Sequence, residues 1–258
     1  MRSLTDDLGT TCHLPDGAVS RVVSLVPSLT EAIAATRPEA LVGATDWCTH
    51  PADLDVPRVR GTKNPNRAQI VDLAPELVVV NKEENRELDV ARLREHGVQV
   101  WVTVIEDVPQ ALSSMTRLFT QALGWGVPDW LTQATDLWSG PSPDPVATVA
   151  IPIWRDPWMV VGSSTFTGDL LARAGIENRF ATHTDRYPQV EVSEIDRSGL
   201  DAVLLPDEPY VFTAEDGPDA FSQVPTRLVS GRLVTWYGPS LVEARGMLET
   251  LASDVSSG

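Results

Sequence analysis

The chain has 258 residues and a formal net charge of −16, which excludes a nucleic-acid backbone or an anionic lipid surface as a natural partner. Its hydrophobic fraction of 42% is typical of globular proteins, and no apolar run is long enough to span a membrane. With only Cys12 and Cys48, the sequence excludes a disulfide scaffold and a metal cage built of thiolates.

Residues 1–19 predict a polar N-terminal arm. The segment carries Asp6 and Asp7 where a secretory signal would carry basic residues, and it has no apolar core. We therefore expect no signal peptide, no lipid anchor, no membrane insertion and a cytoplasmic protein. An extracytoplasmic location would require that a leader had been trimmed from the sequence.

Residues 20–106 alternate strand-like and helix-like segments and predict an N-terminal α/β lobe. A β-branched run at 22–26 ends at Pro27, and Ser28 with Glu31 forms a capping-box pattern at the start of a helix. Further strands are predicted at 41–44, 77–80 and 98–104, with a helix at 87–96 that Gly97 terminates. This alternation is typical of a parallel sheet with helices on its faces.

Residues 107–139 contain no strand signal and predict a helical spacer, broken at Gly124 and Gly126 and resumed after Pro128. Residues 146–252 repeat the earlier alternation and predict a C-terminal α/β lobe. Its strands are expected at 146–153 and 202–205, with a further strand or two in 229–236. Helices are expected at 166–174, capped by Ser163 or Ser164, and at 241–251. The predicted fold class is therefore α/β, with two Rossmann-like lobes joined by a helical spacer.

Motifs of nucleotide-binding proteins and of common hydrolases are missing from the sequence. There is no GxGxxG, GxxxxGK[ST], HExxH, CxxC or GxSxG pattern. The four histidines show no spacing typical of a three-ligand metal site. A binding protein is therefore favoured over an enzyme, and we expect that no cofactor is required.

Aromatic and charged residues follow the predicted strands at their carboxyl ends, the edge where parallel α/β sheets bind ligands. The predicted ligand-binding residues are Trp47, Cys48, His50, Lys63, Lys82, Arg86, Trp154, Arg155, Trp158, Arg186, Tyr187, Tyr210 and Trp236. Large flat side chains suit a bulky, partly apolar ligand. Alternatively, several tryptophans fill the interface between the lobes or the core, and that interpretation is preferred for Trp125, Trp130 and Trp138 on the spacer.

The order of these segments resembles the substrate-binding proteins for vitamin B12 and iron-siderophores. The resemblance rests on RVVSLVPSLTEAI, LVGATDW and IVDLAPELVVV, on the spacer, and on RYPQV and LDAVLLP. It covers nearly all of residues 21–251. It implies a class III periplasmic-binding-protein-like architecture, in which one long helix joins two lobes and the ligand lies in the shallow cleft between them. It also implies cleft aromatics at Trp47, at Tyr187 and in the loop 154–158.

Two departures from that family bear on the partner. Members that serve a membrane transporter are exported or lipid-anchored, and they dock on the permease through an acidic residue on an exposed helix of each lobe. This sequence shows no export signal and has Ala68 and Ser193 at the docking positions, although Glu191 and Glu194 lie close to the second. Both departures count against the permease of an ABC transporter as a partner.

The leading hypothesis is a monomeric binding protein for a corrinoid such as cobalamin, or for a similar metal chelate. Lys82, Arg86 and Arg155 would then meet carboxylate or amide groups of the ligand. An iron-siderophore is an alternative ligand. A cytoplasmic enzyme or accessory protein on the same fold is a second alternative, with acid–base chemistry at Lys82, Glu83 and Asp207.

A third alternative is metal binding by Cys48 and His50. In an extended segment residues i and i+2 point the same way, so the thiolate and the imidazole would approach one metal together. Two side chains cannot complete a tetrahedral site, so a chelate would have to supply the remaining ligands of the metal. Against this alternative, a histidine before proline is often a plain loop residue, and a single cysteine is often a small buried hydrophobe.

Overall fold

The computed structural model describes residues 1–256, which begin with a β-hairpin rather than a polar arm. Strand β1 (Arg2–Thr5) pairs antiparallel with β2 (Thr11–Leu14), from Arg2 opposite Leu14 to Thr5 opposite Thr11. Cys12 and Leu14 are buried. The expected arm at residues 1–19 is therefore wrong, because tertiary contacts bury the few apolar side chains of an otherwise polar segment.

A four-stranded parallel sheet follows, in the order β4-β3-β7-β8. In chain order its elements and their connections are β3 (Val22–Ser24), α1 (Pro27–Thr36), β4 (Leu41–Ala44), β5 (Arg60–Gly61), β6 (Asn64–Pro65), α2 (Arg67–Asp72), β7 (Leu77–Asn81), α3 (Glu87–Glu95) and β8 (Val100–Thr103). All five residues of β7 are buried, as expected for a strand covered on both faces. Gly97 ends the third helix region with a positive φ of 78°, as predicted.

The start of α1 differs from the prediction. The helix begins at Pro27, and no side chain caps it, so the expected Ser28–Glu31 capping box is wrong. Proline is well suited to the first helical position because its missing N–H would have no intrahelical partner.

The predicted spacer is helical with a break. It comprises α4 (Val108–Arg117), a π-helical turn (Leu118–Ala122) and α5 (Asp129–Trp138). Gly124 and Gly126 adopt positive φ between them. Trp138 is buried, and Trp125 and Trp130 pack edge-on against Phe119.

The second parallel sheet has the order β12-β9-β13-β14. Its segment contains β9 (Ala147–Ala150), β10 (Pro152–Trp154), β11 (Met159–Val160), α6 (Phe166–Arg173), β12 (Ile176–Asn178), α7 (Val192–Ile195), β13 (Ala202–Pro206), β14 (Thr226–Val229), α8 (Gly231–Thr235) and α9 (Ser240–Ser256).

Three predictions are corrected in this half. Residues 146–153 form two strands rather than one, and most of the expected strand at 229–236 is the helix α8. The cap of α6 is Thr165, which accepts a hydrogen bond from the Gly168 N–H, rather than Ser163 or Ser164.

The chain divides into two compact units, each with one parallel sheet. The first unit comprises residues 1–105, 109–135 and 237–239, and the second comprises 106–108, 136–236 and the chain from 240 on. The predicted α/β class is confirmed. Within residues 1–256, no helix combines the length and the hydropathy needed to cross a membrane.

Candidate ligand-binding edges

In the first unit, loops at the carboxyl ends of the strands place Trp47 at the surface with 66% of its area exposed. We call this region the first edge; it consists of residues 45–51, 60–66 and 81–86. The Asp46 N–H donates to the Arg60 carbonyl at 2.9 Å, which joins two of these loops. A Cβ at Gly61 would lie 3.2 Å from Trp47 Nε1, so glycine allows the hairpin to pack closely against the indole.

Cys48 and His50 lie on a turn rather than on an extended segment. The Cys48 N–H donates to the Thr45 carbonyl and the Thr49 N–H to the Trp47 carbonyl, so the premise that both side chains point the same way is wrong. The Cys48 thiol is fully buried at 3.0 Å from Thr30 Oγ1, and burial raises its pKa, whereas His50 is exposed. Among the described residues, no group of three or more potential ligands is arranged for a metal ion.

Lys63 and Asn85 connect the remaining loops of the first edge. Lys63 Nζ donates to the Glu83 carbonyl at 2.5 Å. Asn85 is buried and donates from Nδ2 to the carbonyls of Leu25 and Thr62, while its Oδ1 accepts from the Asn81 N–H. Asn85 is not among the residues predicted from the sequence, because no local pattern distinguishes it from its polar neighbours. Lys82 and Arg86 are exposed at this edge, and their role in ligand binding stays a prediction.

A buried phenol also belongs to the first unit. The Tyr237 hydroxyl donates to Glu84 Oε1 at 2.8 Å, and burial, together with the nearby Glu84 carboxylate, raises the Tyr237 pKa well above its usual value.

In the second unit Trp236, predicted to bind ligand, is only 6% exposed. The structure therefore favours a packing role for Trp236.

In the second unit, an aromatic cluster lies where the strands end; we call it the second edge, formed by residues 154–158, 183–188 and 207–222. Trp154 is 44% exposed and meets Tyr210 edge-on, with ring centroids 5.6 Å apart. Trp158 is only 8% exposed and stacks on Phe212 at 5.8 Å. Trp158 thus belongs to the core, the alternative that the sequence left open for several tryptophans.

The two arginines predicted at this edge are both engaged in ion pairs. Arg155 pairs with Asp216 and bonds in bidentate fashion to Asp219, and this contact lowers the Asp219 pKa to about 2. Arg186 lies 3.0 Å from Glu106 and over the ring of the half-buried Tyr187. Arg155 is therefore not available as predicted for a ligand carboxylate, and its acidic partners lie too far along the chain for any local pattern to indicate them.

No protein-family profile matches the chain. The vitamin B12-binding protein of Pectobacterium atrosepticum is 22% identical over 197 residues, which cover 72% of this chain and 71% of that protein. Among solved structures, the periplasmic vitamin B12-binding protein of Vibrio cholerae matches with a TM-score of 0.72 and 16% identity, over 93% of this chain and 99% of that one.

Two further solved structures have the same architecture. The periplasmic heme-binding protein of Roseiflexus sp. RS-1 gives a TM-score of 0.74 and 21% identity, over 92% of this chain and 99% of that one. The Ni(II)-bound CeuE of Helicobacter pylori gives 0.77 and 13%, over 99% and 90%. These matches confirm the fold that the resemblance implied.

The expectation of a cytoplasmic location is wrong. The solved vitamin B12-binding and heme-binding proteins above are periplasmic, and this finding contradicts the expectation. The acidic residues on which the expectation rested have structural roles: Asp6 is buried against Arg94, and Asp7 pairs with Arg117. Their charge is explained by the fold and carries no information about export.

Proposed function

We propose that this chain is an extracytoplasmic substrate-binding protein for a bulky metal chelate of the corrinoid or heme type. The observation that carries the proposal is the pair of exposed indoles, Trp47 at the first edge and Trp154 at the second. The relatives named for binding vitamin B12 or heme support the same ligand class. Binding alone accounts for these features, and no catalytic step is part of the proposal.

An exposed indole leaves a large apolar surface in water, and burying it against a flat ligand is favourable. Trp47 lies on the loop that follows β4, which the Asp46–Arg60 backbone hydrogen bond holds, and Trp154 is the last residue of β10, where its ring meets Tyr210. That arrangement favours stacking on a planar macrocycle over contact with a small polar solute. Lys82 and Arg86, exposed at the first edge, would meet carboxylate or amide groups on the periphery of such a ligand.

Within this class we propose cobalamin as the first ligand to test and heme as the second. Purified protein is titrated with cyanocobalamin and, separately, with hemin, while tryptophan fluorescence and the visible spectrum are followed. Saturable quenching at one equivalent identifies the ligand. Saturable binding of a ferric siderophore instead would move the assignment to that chelate class.

Variants then test each edge separately. Trp47→Ala and Trp154→Ala should each weaken binding by about 1–3 kcal/mol, the scale for losing a well-packed aromatic contact. Trp125→Phe is the matched control, because it removes an indole of the spacer that packs on Phe119. Equal affinity in wild type and both alanine variants would contradict the proposal, as would the absence of binding to every chelate tested.

A further inference from the structure

Arg155 is held by two carboxylates of a distant loop. Its Nη1 donates to Asp216 and, at 2.9 Å, to Asp219 Oδ1, while Nη2 donates to Asp219 Oδ2 at 2.8 Å. The guanidinium also lies 5.6 Å from the ring centroid of Trp158. Fork-like geometry with two carboxylates fixes the guanidinium plane far better than one exposed ion pair would.

The same loop reaches the exposed indole through Tyr210. The Tyr210 hydroxyl donates to Asp216 Oδ2 at 2.6 Å, on the carboxylate that also accepts from Arg155. The Tyr210 ring meets Trp154 edge-on, at 79° between planes, and packs on Phe212 at 4.6 Å. A continuous chain of contacts thus runs from Arg155 through Asp216 and Tyr210 to Trp154, and we call these four residues the Trp154 relay.

The end of the loop is itself closed by short-range bonds. The Thr213 N–H donates to the Asp216 carbonyl at 3.0 Å, and the Asp216 N–H donates back to Thr213 Oγ1 at 3.1 Å. The Gly217 N–H donates to Asp219 Oδ1 at 2.9 Å. The loop that carries Asp216 and Asp219 is thus held by its own hydrogen bonds as well as by those with Arg155, so it can act as a rigid support.

We infer that Arg155, Asp216 and Tyr210 are positioning residues that hold the Trp154 indole in one orientation for its ligand. The inference deepens the proposed function and rests on it for the identity of that ligand. A half-exposed tryptophan without lateral support samples several rotamers, and ordering it on binding costs conformational entropy. A support that fixes the indole beforehand removes that cost and raises affinity without touching the ligand.

The orientation of Trp154 is measured directly by fluorine NMR on protein labelled with 5-fluorotryptophan. Trp154→Phe identifies the Trp154 resonance among the eight tryptophans. Tyr210→Phe keeps the ring and removes the hydroxyl, and Asp216→Asn weakens both bonds of the shared carboxylate. Glu249→Gln is the matched control, since it weakens an arginine–carboxylate contact of α9 in the same unit.

We expect the Trp154 resonance to shift or broaden in Tyr210→Phe and in Asp216→Asn, and to stay unchanged in Glu249→Gln. We also expect affinity for whichever of cyanocobalamin and hemin binds to fall about three- to tenfold in both relay variants, with the melting temperature of Tyr210→Phe nearly unchanged. An unmoved Trp154 resonance in both relay variants overturns the inference, and so does a moved resonance with unaltered affinity. If wild type binds neither compound, the proposed function fails, and the fluorine result alone decides whether the relay orients Trp154.

Discussion

Single buried side chains decide how the loops of each edge are held. Asn85 in the first unit joins Leu25, Thr62 and Asn81, and Asn178 in the second donates to the Val161 carbonyl at 2.9 Å. In both units an amide that is donor and acceptor at once meets backbone groups of different segments. An acidic side chain of the same size cannot replace it, because it has no N–H to donate at neutral pH.

Asn85→Asp should therefore destabilise the protein by about 2 kcal/mol or more, because a carboxylate would face two carbonyl oxygens without a donor between them. Urea denaturation measures the change. The control is Asn66→Asp, the same substitution at the N-cap of α2, where the side chain accepts a hydrogen bond from the Gln69 N–H, a role that Asp fills as well. Asn66 Nδ2 also donates to Gln69 Oε1, but the Gln69 amide can turn and donate to the new carboxylate. Equal loss of stability in the two variants would show that the donor role of Asn85 is unimportant.

Asp196 gives a prediction about pH. Burial alone would raise its pKa, but the backbone N–H groups of Ser222, Gln223 and Val224 donate to the carboxylate, and the net effect is a pKa below 3.8. A carboxylate whose pKa is lower in the folded state than in the unfolded state contributes its full stabilisation when the pH is above the unfolded-state pKa. That stabilisation is lost as the pH falls through the folded-state pKa. The free energy of unfolding should thus fall below about pH 4 in wild type and fall less steeply in Asp196→Asn. Parallel pH profiles for the two proteins would contradict this assignment.

At the scale of elements, the N-terminal hairpin is tied to its unit by charged side chains. Arg2 donates to the carbonyls of Gln121 and Ala122 at the π-helical turn. Asp7 accepts from Arg117, from Ser114 and from the Val104 N–H. The hairpin thus contacts the edge strand β8 through carboxylate hydrogen bonds and not through a regular strand ladder. These contacts cover the edge of the sheet, which would otherwise be exposed.

Asp7→Ala should lower the free energy of unfolding by about 2 kcal/mol, since it leaves the partly buried Arg117 and the Val104 N–H without this acceptor. Chemical denaturation monitored by circular dichroism is the measurement. Asp16→Ala serves as the control on the same hairpin region, because Asp16 is exposed and pairs only with the chain's amino terminus among the described contacts. Similar losses for both variants would mean that the Asp7 contacts are not specific.

The sequence predicted elements best where burial is continuous. The apolar strands β7 and β8 read directly as strands, since every residue is buried. The hairpin at residues 2–14 was missed because its two strands carry only three apolar core-facing positions, and its remaining support comes from residues about a hundred positions away. The sequence predicts a strand where α8 forms because Val234, Thr235 and Trp236 favour strands locally, and the tertiary environment overrides that preference. The same contrast holds at the candidate site. The local pattern of strands predicts that Trp47 and Trp154 lie at strand ends, whereas the acidic partners of Arg155 are distant in the sequence and have no local signal.

At the scale of the whole molecule, the chain forms two α/β units, each with one parallel sheet and with an exposed indole at the end of a strand. This arrangement suits the proposed binding protein, and the extracytoplasmic location that forms part of the proposal would remove one of the two arguments against a transport partner. The other argument stands, because Ala68 and Ser193 are exposed on α2 and α7 without a carboxylate of their own. The expectation that the chain does not dock on a permease in the usual way therefore stays a prediction, and Glu191 and Glu194 are the neighbouring carboxylates that such docking would need.

The native protein is expected outside the cytoplasmic membrane of its host. This prediction follows from the proposed function, and the acidic residues near the N-terminus do not oppose it, because Asp6 is buried and Asp7 is paired with Arg117. Cell fractionation followed by immunodetection of the native protein is the measurement, with a cytoplasmic dehydrogenase as the marker for leakage. Detection in the envelope or extracytoplasmic fraction, with the dehydrogenase retained inside, is the expected result. Co-fractionation with the dehydrogenase would contradict this prediction. It would also contradict the proposed capture of an external metal chelate, because the protein would then encounter only ligands that are already inside the cell.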